Sequence, residues 1–376
     1  MAAAWPMTEA VPKCAWTRNP EKRDEILDIA PSFDNPANIG VIGFGREFSG
    51  EGTLMRNLIA VFLLATLAAI SPLAALAGPF TQIVAFGDSL TDTGNLEILQ
   101  PTAFSSPSGA FYGYYEGRFS NGPNWIDQLS TKLGVADPQP SLAGGTNYAY
   151  GAASADASFQ TPGISVPYLS QQVQSYLQTS PVADPHALYT VWMGANDVFN
   201  NGLTNPSVPA TAAGDVAAAL TSLINAGGKH FLVPNLPGQG NTPRIAVDGP
   251  ATVAALNAVD VAYNADLLAD LNSLRAAHPG VTITMFDTYA LLNSALQNPA
   301  AYGFTDTTDQ LIQQGPNAIA SQYLFWDSSH PTTAADTFIA DGAFAALVPE
   351  PTTFVLAGMG LLGLGFAALR KKYRRA

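Results

Sequence analysis

The sequence predicts an α/β fold, in which a parallel sheet of five strands carries helices on both faces. Two observations lead to this prediction. Five short apolar runs of β type alternate with stretches of helical periodicity, which is typical of parallel sheets built from strand–helix–strand units. Three of the runs end in small polar turns. Because open α/β folds place their sites at the carboxyl ends of the strands, these turns are expected to meet at one edge.

The five predicted strands are short, apolar and bounded by Gly, Pro or polar residues. In chain order they are Ile83 to Phe86, a short strand within Gly144 to Ala153, Ala187 to Met193, Phe231 to Val233, and Val281 to Phe286. The first three end in turns that contain Ser89, Gly151 and Asn196, respectively. We therefore expect these three residues at the same edge of the sheet.

Helical periodicity predicts five helices between and after the strands. They cover Trp125 to Leu133, Leu169 to Leu177, Val216 to Ile224, about Thr252 to Ala277, and about Ala334 to Leu347. Either Asn121 or Asn124 is expected to cap the first helix, with Pro123 near its start. Two stretches are predicted to be irregular: the aromatic-rich loop Pro101 to Tyr115, and residues 299–324, which are expected to cover a site.

The residues before the predicted domain resemble an export signal. From Met55, a basic start, an apolar run and the ending Ala75-Leu76-Ala77 predict a signal peptide over residues 55–77, with cleavage after Ala77. A buried helix or a membrane anchor is the alternative, which the short run and the small-residue ending disfavour. Residues 1–54 are either an extension from a start codon placed too far upstream or a disordered segment.

Charge and cysteine content exclude several classes of protein. The chain has 16 Lys and Arg against 29 Asp and Glu, and all but five of these cations lie outside residues 78–348. Nucleic-acid binding needs clustered cations, so no nucleic-acid partner is expected. The single cysteine, Cys14, precedes the predicted cleavage site, so the mature chain is expected to have neither disulfides nor a thiolate metal site. Residues 78–347 are enough for one large core.

The C-terminal residues 348–376 carry a second signal. Val348-Pro349-Glu350-Pro351 precedes an apolar run from Phe354 to Leu369 and a terminal cluster of Arg and Lys. The run is short for a bilayer, and an ordinary transmembrane anchor is the alternative interpretation. The pattern resembles the PEP-CTERM sorting signal of Gram-negative bacteria. That resemblance implies export, a transient inner-membrane anchor, processing by an exosortase-type membrane transpeptidase, and a final location in the cell envelope or outside the cell.

Ser89 is the candidate nucleophile, because it follows a buried strand on a turn of small residues. A serine hydroxyl needs a general base, usually a histidine. Three of the four histidines are expected away from the site edge: His186, His230 and His278. His330 follows the last strand on the side where Ser89 emerges. Asp327, three residues earlier, is close enough to accept a hydrogen bond from Nδ1–H of His330 and so fix its tautomer.

Ester cleavage also needs hydrogen-bond donors for the oxyanion of the transition state. The backbone N–H of Ser89 is the first candidate. The N–H of Gly151 is the second, because glycine lets the backbone approach a substrate closely. The side-chain amide of Asn196 is the third, since its turn is predicted at the same edge.

The ordered motifs from Ile83 to Pro331 resemble the SGNH or GDSL family of serine esterases and lipases. Four blocks carry the resemblance: Gly87-Asp88-Ser89-Leu90, Asn147 to Ala152, Gly194-Ala195-Asn196-Asp197 and Asp327 to Pro331. A fifth segment, Asn235-Leu236-Pro237 with Thr242-Pro243, matches a structural stretch of the same branch. The resemblance implies a flavodoxin-like three-layer α/β/α fold, the triad Ser89, Asp327 and His330, and an oxyanion hole of Ser89, Gly151 and Asn196.

We therefore predict an exported serine hydrolase that cleaves carboxylic esters through an acyl-enzyme, without a metal or cofactor. Lipid or short-chain acyl esters are the expected substrates, and an O-acetyl esterase or acyltransferase acting on extracellular polysaccharide is the alternative. The aromatic segment Phe111 to Tyr115 either lines an acyl or sugar site or serves packing. A non-catalytic surface or matrix-binding protein is the alternative of another class, which the complete set of catalytic residues disfavours. The oligomeric state stays open.

Overall fold

The computed structural model describes residues 80–102, 110, 112–159 and 163–348. The predicted signal peptide at 55–77, residues 1–54 and residues 349–376 of the sorting signal lie outside these ranges. The structure therefore leaves the predictions for both ends of the chain untested.

A four-stranded parallel sheet lies at the centre of the fold. Its strands, in both chain order and spatial order, are β1 (Ile83–Gly87), β2 (Leu188–Trp192), β3 (His230–Pro234) and β4 (Thr282–Phe286). Every residue of β1 and β2 is buried, as expected for strands that are covered on both faces. The parallel pairing places all four carboxyl ends at one edge.

The second predicted strand, within Gly144 to Ala153, is present only as an extended segment along the free edge of β1. Tyr148 N–H donates to the Ala85 carbonyl (2.7 Å), Tyr150 N–H donates to the Gly87 carbonyl (3.2 Å), and Ala85 forms a parallel bridge with Asn147. The Asn147 side chain accepts a hydrogen bond from the Ala149 N–H (2.9 Å). This local hydrogen bond occupies the Ala149 N–H, which in a regular strand would be free to pair with a neighbouring strand. The pairing with β1 therefore stays short.

Nine α-helices surround the sheet in the described part of the chain. They are α1 (Asn95–Leu99), α2 (Trp125–Leu133), α3 (Leu169–Thr179), α4 (Ala195–Asp197), α5 (Val208–Asn225), α6 (Pro243–Ala246), α7 (Pro250–Ala277), α8 (Thr288–Gln297) and α9 (Thr333–Leu347). A π-helical turn, Val198–Gly202, follows α4. Two short strands, β5 (Asp306–Gln310) and β6 (Tyr323–Phe325), pair with each other in a separate parallel sheet.

The helices form a layer on each face of the central sheet. Val84 and Phe86 of β1 belong to one buried cluster, which contains side chains of α3, α5 and α7. Ile83 and Ala85 belong to a second cluster, which contains side chains of α2 and α9. This alternation follows from the pleat of a strand, which points successive side chains to opposite faces. The predicted three-layer α/β/α fold of the flavodoxin-like type is confirmed.

All five predicted helices are present, with differences at their ends. α2 has the predicted bounds, and Asn124 caps it by accepting a hydrogen bond from the Asp127 N–H (3.3 Å). α5 begins at Val208 rather than Val216, because its alanine-rich first half gives little apolar periodicity although alanine favours helix strongly. Four helices, α1, α4, α6 and α8, were not predicted.

The expected transmembrane segment is corrected here. Within the described ranges, none of the helices combines the length and the apolar character that a bilayer crossing requires. The prediction of such a segment is therefore wrong for the part of the chain that the structure describes. The apolar run from Phe354 to Leu369, which prompted it, lies outside the described residues.

Candidate active site

Ser89 lies at the carboxyl end of β1, on a turn that only a glycine can precede. A Cβ atom on Gly87 would lie 2.7 Å from the carbonyl oxygen of Trp192 on the neighbouring strand, which no side chain tolerates. The chain then turns, as the Asp88 carbonyl accepts hydrogen bonds from the N–H groups of Thr91 (3.0 Å) and Asp92 (2.9 Å). Ser89 is half-buried on this turn.

Gln172 of α3 holds the end of β1 in place. Its side-chain oxygen accepts a hydrogen bond from the Gly87 N–H (3.0 Å), and its amide donates to the Gly87 carbonyl (3.0 Å). The side chain is fully buried. Sequence reasoning missed this residue, and the only available signal was its position on the apolar face of α3, next to Val173.

Ser89, His330 and Asp327 form a continuous chain of hydrogen bonds. Nε2 of His330 lies 2.7 Å from Oγ of Ser89. Nδ1 of His330 lies 2.7 Å from Oδ2 of Asp327 and 2.9 Å from Oδ1. The three residues come from the β1 turn and from the loop between β6 and α9, which the fold brings to the same sheet edge.

Asp327 is 4% exposed, and the surrounding groups keep its carboxylate ionised. Burial opposes ionisation, but the charge of His330, the hydrogen bond from its ring and the N–H groups of Ser329 and His330 lower the pKa of Asp327 below its ordinary value. Both N–H groups donate to Oδ1 at 2.8 Å. The carboxylate can therefore orient the imidazole and stabilise its protonated form.

Two aromatic side chains enclose this pair. The ring of Phe119 lies 4.9 Å from the His330 ring, measured between centroids. The hydroxyl of Tyr114 donates to Oδ2 of Asp327 (2.8 Å), and its ring packs edge-on against Trp326. In the segment Phe111 to Tyr115, Tyr114 thus contacts Asp327. Phe111 itself lies outside the described residues.

The other three histidines lie away from this site. His230 is the first residue of β3, at the amino edge of the sheet. His186 lies two residues before β2 on the same edge, and His278 follows α7 before β4. Their exclusion as the general base, made from the sequence, agrees with these positions.

Asn196 and Ser89 both line the same cavity. Nδ2 of Asn196 donates one hydrogen bond to the Ala153 carbonyl (2.8 Å), and a primary amide has a second hydrogen to donate. The Ser89 N–H makes no hydrogen bond to any described residue. Both groups can therefore donate to a negatively charged oxygen in this cavity.

The expected role of Gly151 needs a correction. Its N–H donates to Oδ2 of Asp92 (2.8 Å) and is therefore engaged within the protein. A Cβ at this position would lie 2.5 Å from the Phe119 ring and 2.7 Å from Leu96. Glycine is thus required here by close packing rather than by the approach of a substrate. The next residue, Ala152, lines the cavity and has a positive φ of 65°.

Three buried carboxyl groups, those of Asp88, Asp92 and Asp197, lie in the loops that carry the candidate site residues. Burial raises the pKa of Asp88 and of Asp92 to about 6, and that of Asp197 to about 7, although each accepts backbone N–H hydrogen bonds that lower it. Asp92 accepts from Gly94, Asn95, Leu96 and Gly151, and Asp197 accepts from Ala155 and Asp156. Oδ2 of Asp88, in contrast, has no partner in the structure. Asp92 and Asp197 therefore tie the three motif loops together.

A cavity of about 290 Å³ opens at Ser89 and His330. Its inner part is lined by apolar side chains of α8, α9 and the segment between them: Leu291, Leu292, Ala295, Phe304, Leu324, Phe325 and Phe338. Ala295, Phe304, Leu324 and Phe325 are almost fully buried. Residues 299–324, which were expected to cover a site, thus supply part of its wall.

Among the described residues, no group of three or more His, Cys, Asp or Glu side chains is arranged to hold a metal ion.

Comparison with known proteins identifies two matching families. Residues 83–343 match the family model described as GDSL-like Lipase/Acylhydrolase. Residues 347–372 match the PEP-CTERM protein-sorting motif. The first match covers more than half of the chain and contains every residue of the candidate site.

Three relatives are 28–32% identical to this chain over the aligned residues. A thermolabile hemolysin of Vibrio parahaemolyticus is 28% identical over 281 residues, which cover 69% of this chain and 62% of the hemolysin. A GDSL esterase/lipase of Arabidopsis thaliana is 28% identical over 313 residues, 69% of this chain and 86% of the relative. A phosphatidylcholine-sterol acyltransferase of Aeromonas hydrophila is 32% identical over 230 residues, 61% of this chain and 64% of the relative.

Among solved structures, the chain is similar to an acetyl-xylooligosaccharide esterase from Geobacillus, at 11% identity and a TM-score of 0.39. The match covers 73% of this chain and 97% of that one. An aryl esterase of M. smegmatis is 15% identical with a TM-score of 0.39, and the match covers 71% of this chain and 98% of that one.

Proposed function

Because the chain belongs to the GDSL-like lipase/acylhydrolase family, we propose that it is an exported serine hydrolase of carboxylic esters. Ser89 is the nucleophile, His330 the general base and Asp327 the residue that orients His330. The observation that carries this proposal is the hydrogen-bonded chain from Ser89 Oγ through both ring nitrogens of His330 to Asp327. Its distances match the reach that a nucleophile and a general base need.

In the first half of the reaction, His330 Nε2 accepts the proton of the Ser89 hydroxyl as Oγ attacks the ester carbonyl carbon. The carbonyl oxygen becomes an oxyanion, for which the Ser89 N–H and the Asn196 amide are the proposed donors. The bond to the alcohol oxygen then breaks. The alcohol leaves with the proton from His330, and the acyl group remains on Ser89.

In the second half, water takes the place of the alcohol. His330 accepts a proton from the water as its oxygen attacks the acyl carbon, and then returns a proton to Ser89 Oγ as the carboxylic acid is released. Throughout the cycle the ionised Asp327 carboxylate accepts a hydrogen bond from Nδ1–H of His330 and stabilises the imidazolium. The proposed cycle needs no metal or cofactor.

We propose lipid esters, with acyl chains longer than acetyl, as the substrates. The buried apolar side chains of the cavity support this, since each methylene that leaves water there contributes about 0.8 kcal/mol. The cavity volume of about 290 Å³ lies near the lower end for ligand pockets, which are roughly 300–1,000 Å³. It therefore favours a medium-length chain over a very long one.

Acyl transfer is the second candidate. It uses the same acyl-enzyme, with the hydroxyl of an acceptor molecule in place of water. The observation that favours it is the 32% identity to the acyltransferase of Aeromonas hydrophila. Deacetylation of extracellular polysaccharide, the other predicted activity, receives less support, because an acetyl group would leave the apolar cavity empty. A non-catalytic matrix-binding role does not require the hydrogen-bonded Ser89, His330 and Asp327.

The match of residues 347–372 to the PEP-CTERM protein-sorting motif indicates export from a Gram-negative cell and association with its envelope. We propose that an exosortase-type transpeptidase processes this tail. Comparison of the mass of the mature protein from cells with and without such an enzyme tests the proposal, since unprocessed tail in both would contradict it.

Hydrolysis of p-nitrophenyl esters from acetate to palmitate, by the purified protein beside Ser89→Ala, tests the function. We expect turnover that peaks at a medium chain length and falls by about 10⁴-fold or more in the variant. Addition of an alcohol acceptor separates the two candidates, because a transferase forms a new ester. A folded protein that cleaves none of these esters would exclude the lipid esterase.

A further inference from the structure

Arg244 lies at the exposed side of the same cavity. It belongs to α6 and lines the cavity together with Ser89 and His330. Its backbone N–H donates to the carbonyl of Ser328 (2.8 Å), two residues before His330. The backbone that carries this side chain is therefore fixed directly to the loop that carries the general base.

The Arg244 guanidinium has no counter-ion among the described residues. The ion pairs there are Arg118–Asp127, Lys132–Asp341 and His330–Asp327. Its Cζ lies 4.8 Å from the ring centroid of Phe199, another cavity residue. The aromatic face supports the flat guanidinium without using its N–H donors. Asp248, one turn further along the chain, does not pair with it.

A cation at the cavity is unusual in this acidic part of the chain. Residues 78–348 contain only five Lys and Arg: Arg118, Lys132, Lys229, Arg244 and Arg275. Two of these are in ion pairs, and Arg275 donates to Asn272 and to the Ile283 carbonyl. Of the five, only Arg244 lines the cavity.

The two ends of the cavity suit the two halves of an ester. Its inner end, around Ala295 and Phe325, is apolar and buried. The acyl chain is therefore expected there, and the alcohol half is directed toward the exposed end, where Arg244 lies. A free guanidinium binds anionic oxygens in pairs, and phosphate and carboxylate both fit its fork.

We propose that Arg244 binds an anionic group on the alcohol half of the substrate, and that the preferred substrates are acyl esters of phosphate-bearing alcohols. The inference rests on the proposed ester hydrolysis. The acidic surface repels anions weakly at a distance, because salt screens charges beyond about 8–10 Å. At short range the contact with Arg244, the one Lys or Arg among the described residues that lines the cavity, provides the attraction for an anion.

The test compares two substrates with the same acyl chain, 1-decanoyl-glycerol and 1-decanoyl-glycerol 3-phosphate, both below their aggregation concentrations. For the wild type we expect a higher kcat/KM with the phosphate ester. In Arg244→Gln we expect that preference to fall by about tenfold, with a much smaller change for the neutral ester and most of the loss in KM. Arg244→Lys should keep part of it. Lys229→Gln, which removes one charge at the opposite edge of the sheet, should keep all of it.

An equal loss for both substrates in Arg244→Gln would overturn the inference, since it would mean that Arg244 only holds the cavity wall. Equal rates of the wild type on both substrates would overturn it as well. Binding of decyl phosphate to Ser89→Ala, with and without Arg244→Gln, does not depend on hydrolysis. A loss of affinity in the double variant would support the anion site even if no ester were cleaved, which separates this inference from the proposed function.

Discussion

The hydroxyl of Tyr114 donates a 2.8 Å hydrogen bond to Oδ2 of Asp327, the same oxygen that lies 2.7 Å from Nδ1 of His330. Burial, and then the neighbouring Asp327 charge, raise the pKa of Tyr114 above its ordinary value. The hydroxyl therefore keeps its proton at any working pH. It fixes the rotation of the carboxylate plane, which Ser329 and His330 fix from the Oδ1 side.

Tyr114→Phe should therefore lower kcat by about three- to tenfold with little change in KM, because it removes one hydrogen bond to a charged group and leaves the ring in place. Steady-state kinetics on a p-nitrophenyl ester measure this. Tyr112→Phe is the matched control, since its hydroxyl donates to the Gly315 carbonyl (3.2 Å) and not to Asp327. Equal effects of the two substitutions would show that Tyr114 serves packing alone.

The inner end of the cavity should set the acyl chain length. Ala295 is 4% exposed and lines this end, so Ala295→Phe would fill space that the end of the chain needs. We expect the preferred chain to become shorter, with a loss of about fourfold in kcat/KM for each methylene that no longer fits. Acetate esters, which do not reach Ala295, should be cleaved at nearly the wild-type rate.

An unchanged length profile in Ala295→Phe would place the acyl chain elsewhere. The acetate ester is the internal control for folding, because a general loss of structure would lower the rates for all chain lengths together.

Asp88 should make the protein less stable at alkaline pH. Burial raises its pKa to about 6, above the value of 3.8 that it has when exposed. Between these two values the folded state binds more protons than the unfolded state, so the free energy of unfolding falls as the pH rises. Asp92 and Asp197 have the same sign. We therefore expect a higher melting temperature at pH 5.5 than at pH 8.

Asp88→Asn tests the contribution of this one group. An amide can keep the hydrogen bond from the Leu90 N–H (3.0 Å), and it introduces no charge at the position of the unpartnered Oδ2. The difference in melting temperature between pH 5.5 and pH 8 should shrink in this variant. A difference equal to that of the wild type would mean that Asp88 does not titrate in this range.

Gln172 should stabilise the nucleophile turn. Gln172→Ala removes both hydrogen bonds to Gly87 and leaves the buried Gly87 N–H without this partner. The expected cost is about 1–3 kcal/mol in the free energy of unfolding. Gln171→Ala, at the exposed neighbouring position, should cost much less. Chemical denaturation of both variants measures the difference, and equal losses would contradict the role given to Gln172.

The central layers of this fold could be predicted from the sequence, because buried parallel strands are continuous apolar runs and their helices have clear periodicity. Ser89, Asp327 and His330 could be predicted as candidates, because Ser89 follows a buried strand, His330 follows the last apolar strand, and Asp327 lies three residues before His330. Gln172 and Tyr114 could not be found in this way. Their partners are distant in sequence, and neither residue type at those positions indicates a hydrogen bond to the site.

α8 was missed for a different reason. It follows β4 after a single residue, Asp287, whose side chain caps it by accepting from the Ala290 N–H (3.0 Å). The helix covers the cavity as well as the core, so its apolar residues do not follow one narrow stripe. Gly151 was misassigned because a glycine in a site loop fits either a close substrate or a close side chain. The hydrogen bond from the Gly151 N–H to Asp92 and the position of the Phe119 ring decide between them.

Ala152 should carry a backbone strain that glycine would relieve. Its φ of 65° lies in the left-handed region, which costs a residue with a Cβ about 1–2 kcal/mol. Ala152→Gly should therefore stabilise the protein by about 0.5–1 kcal/mol, after the greater freedom of glycine in the unfolded chain is taken into account. Ala153→Gly, at the next residue, should have the opposite sign, because Ala153 has no positive φ and its methyl group is buried. Denaturation of both variants at one pH measures the two changes in the free energy of unfolding. If Ala152→Gly were destabilised, the packing of the Ala152 methyl group against the cavity wall would outweigh the strain.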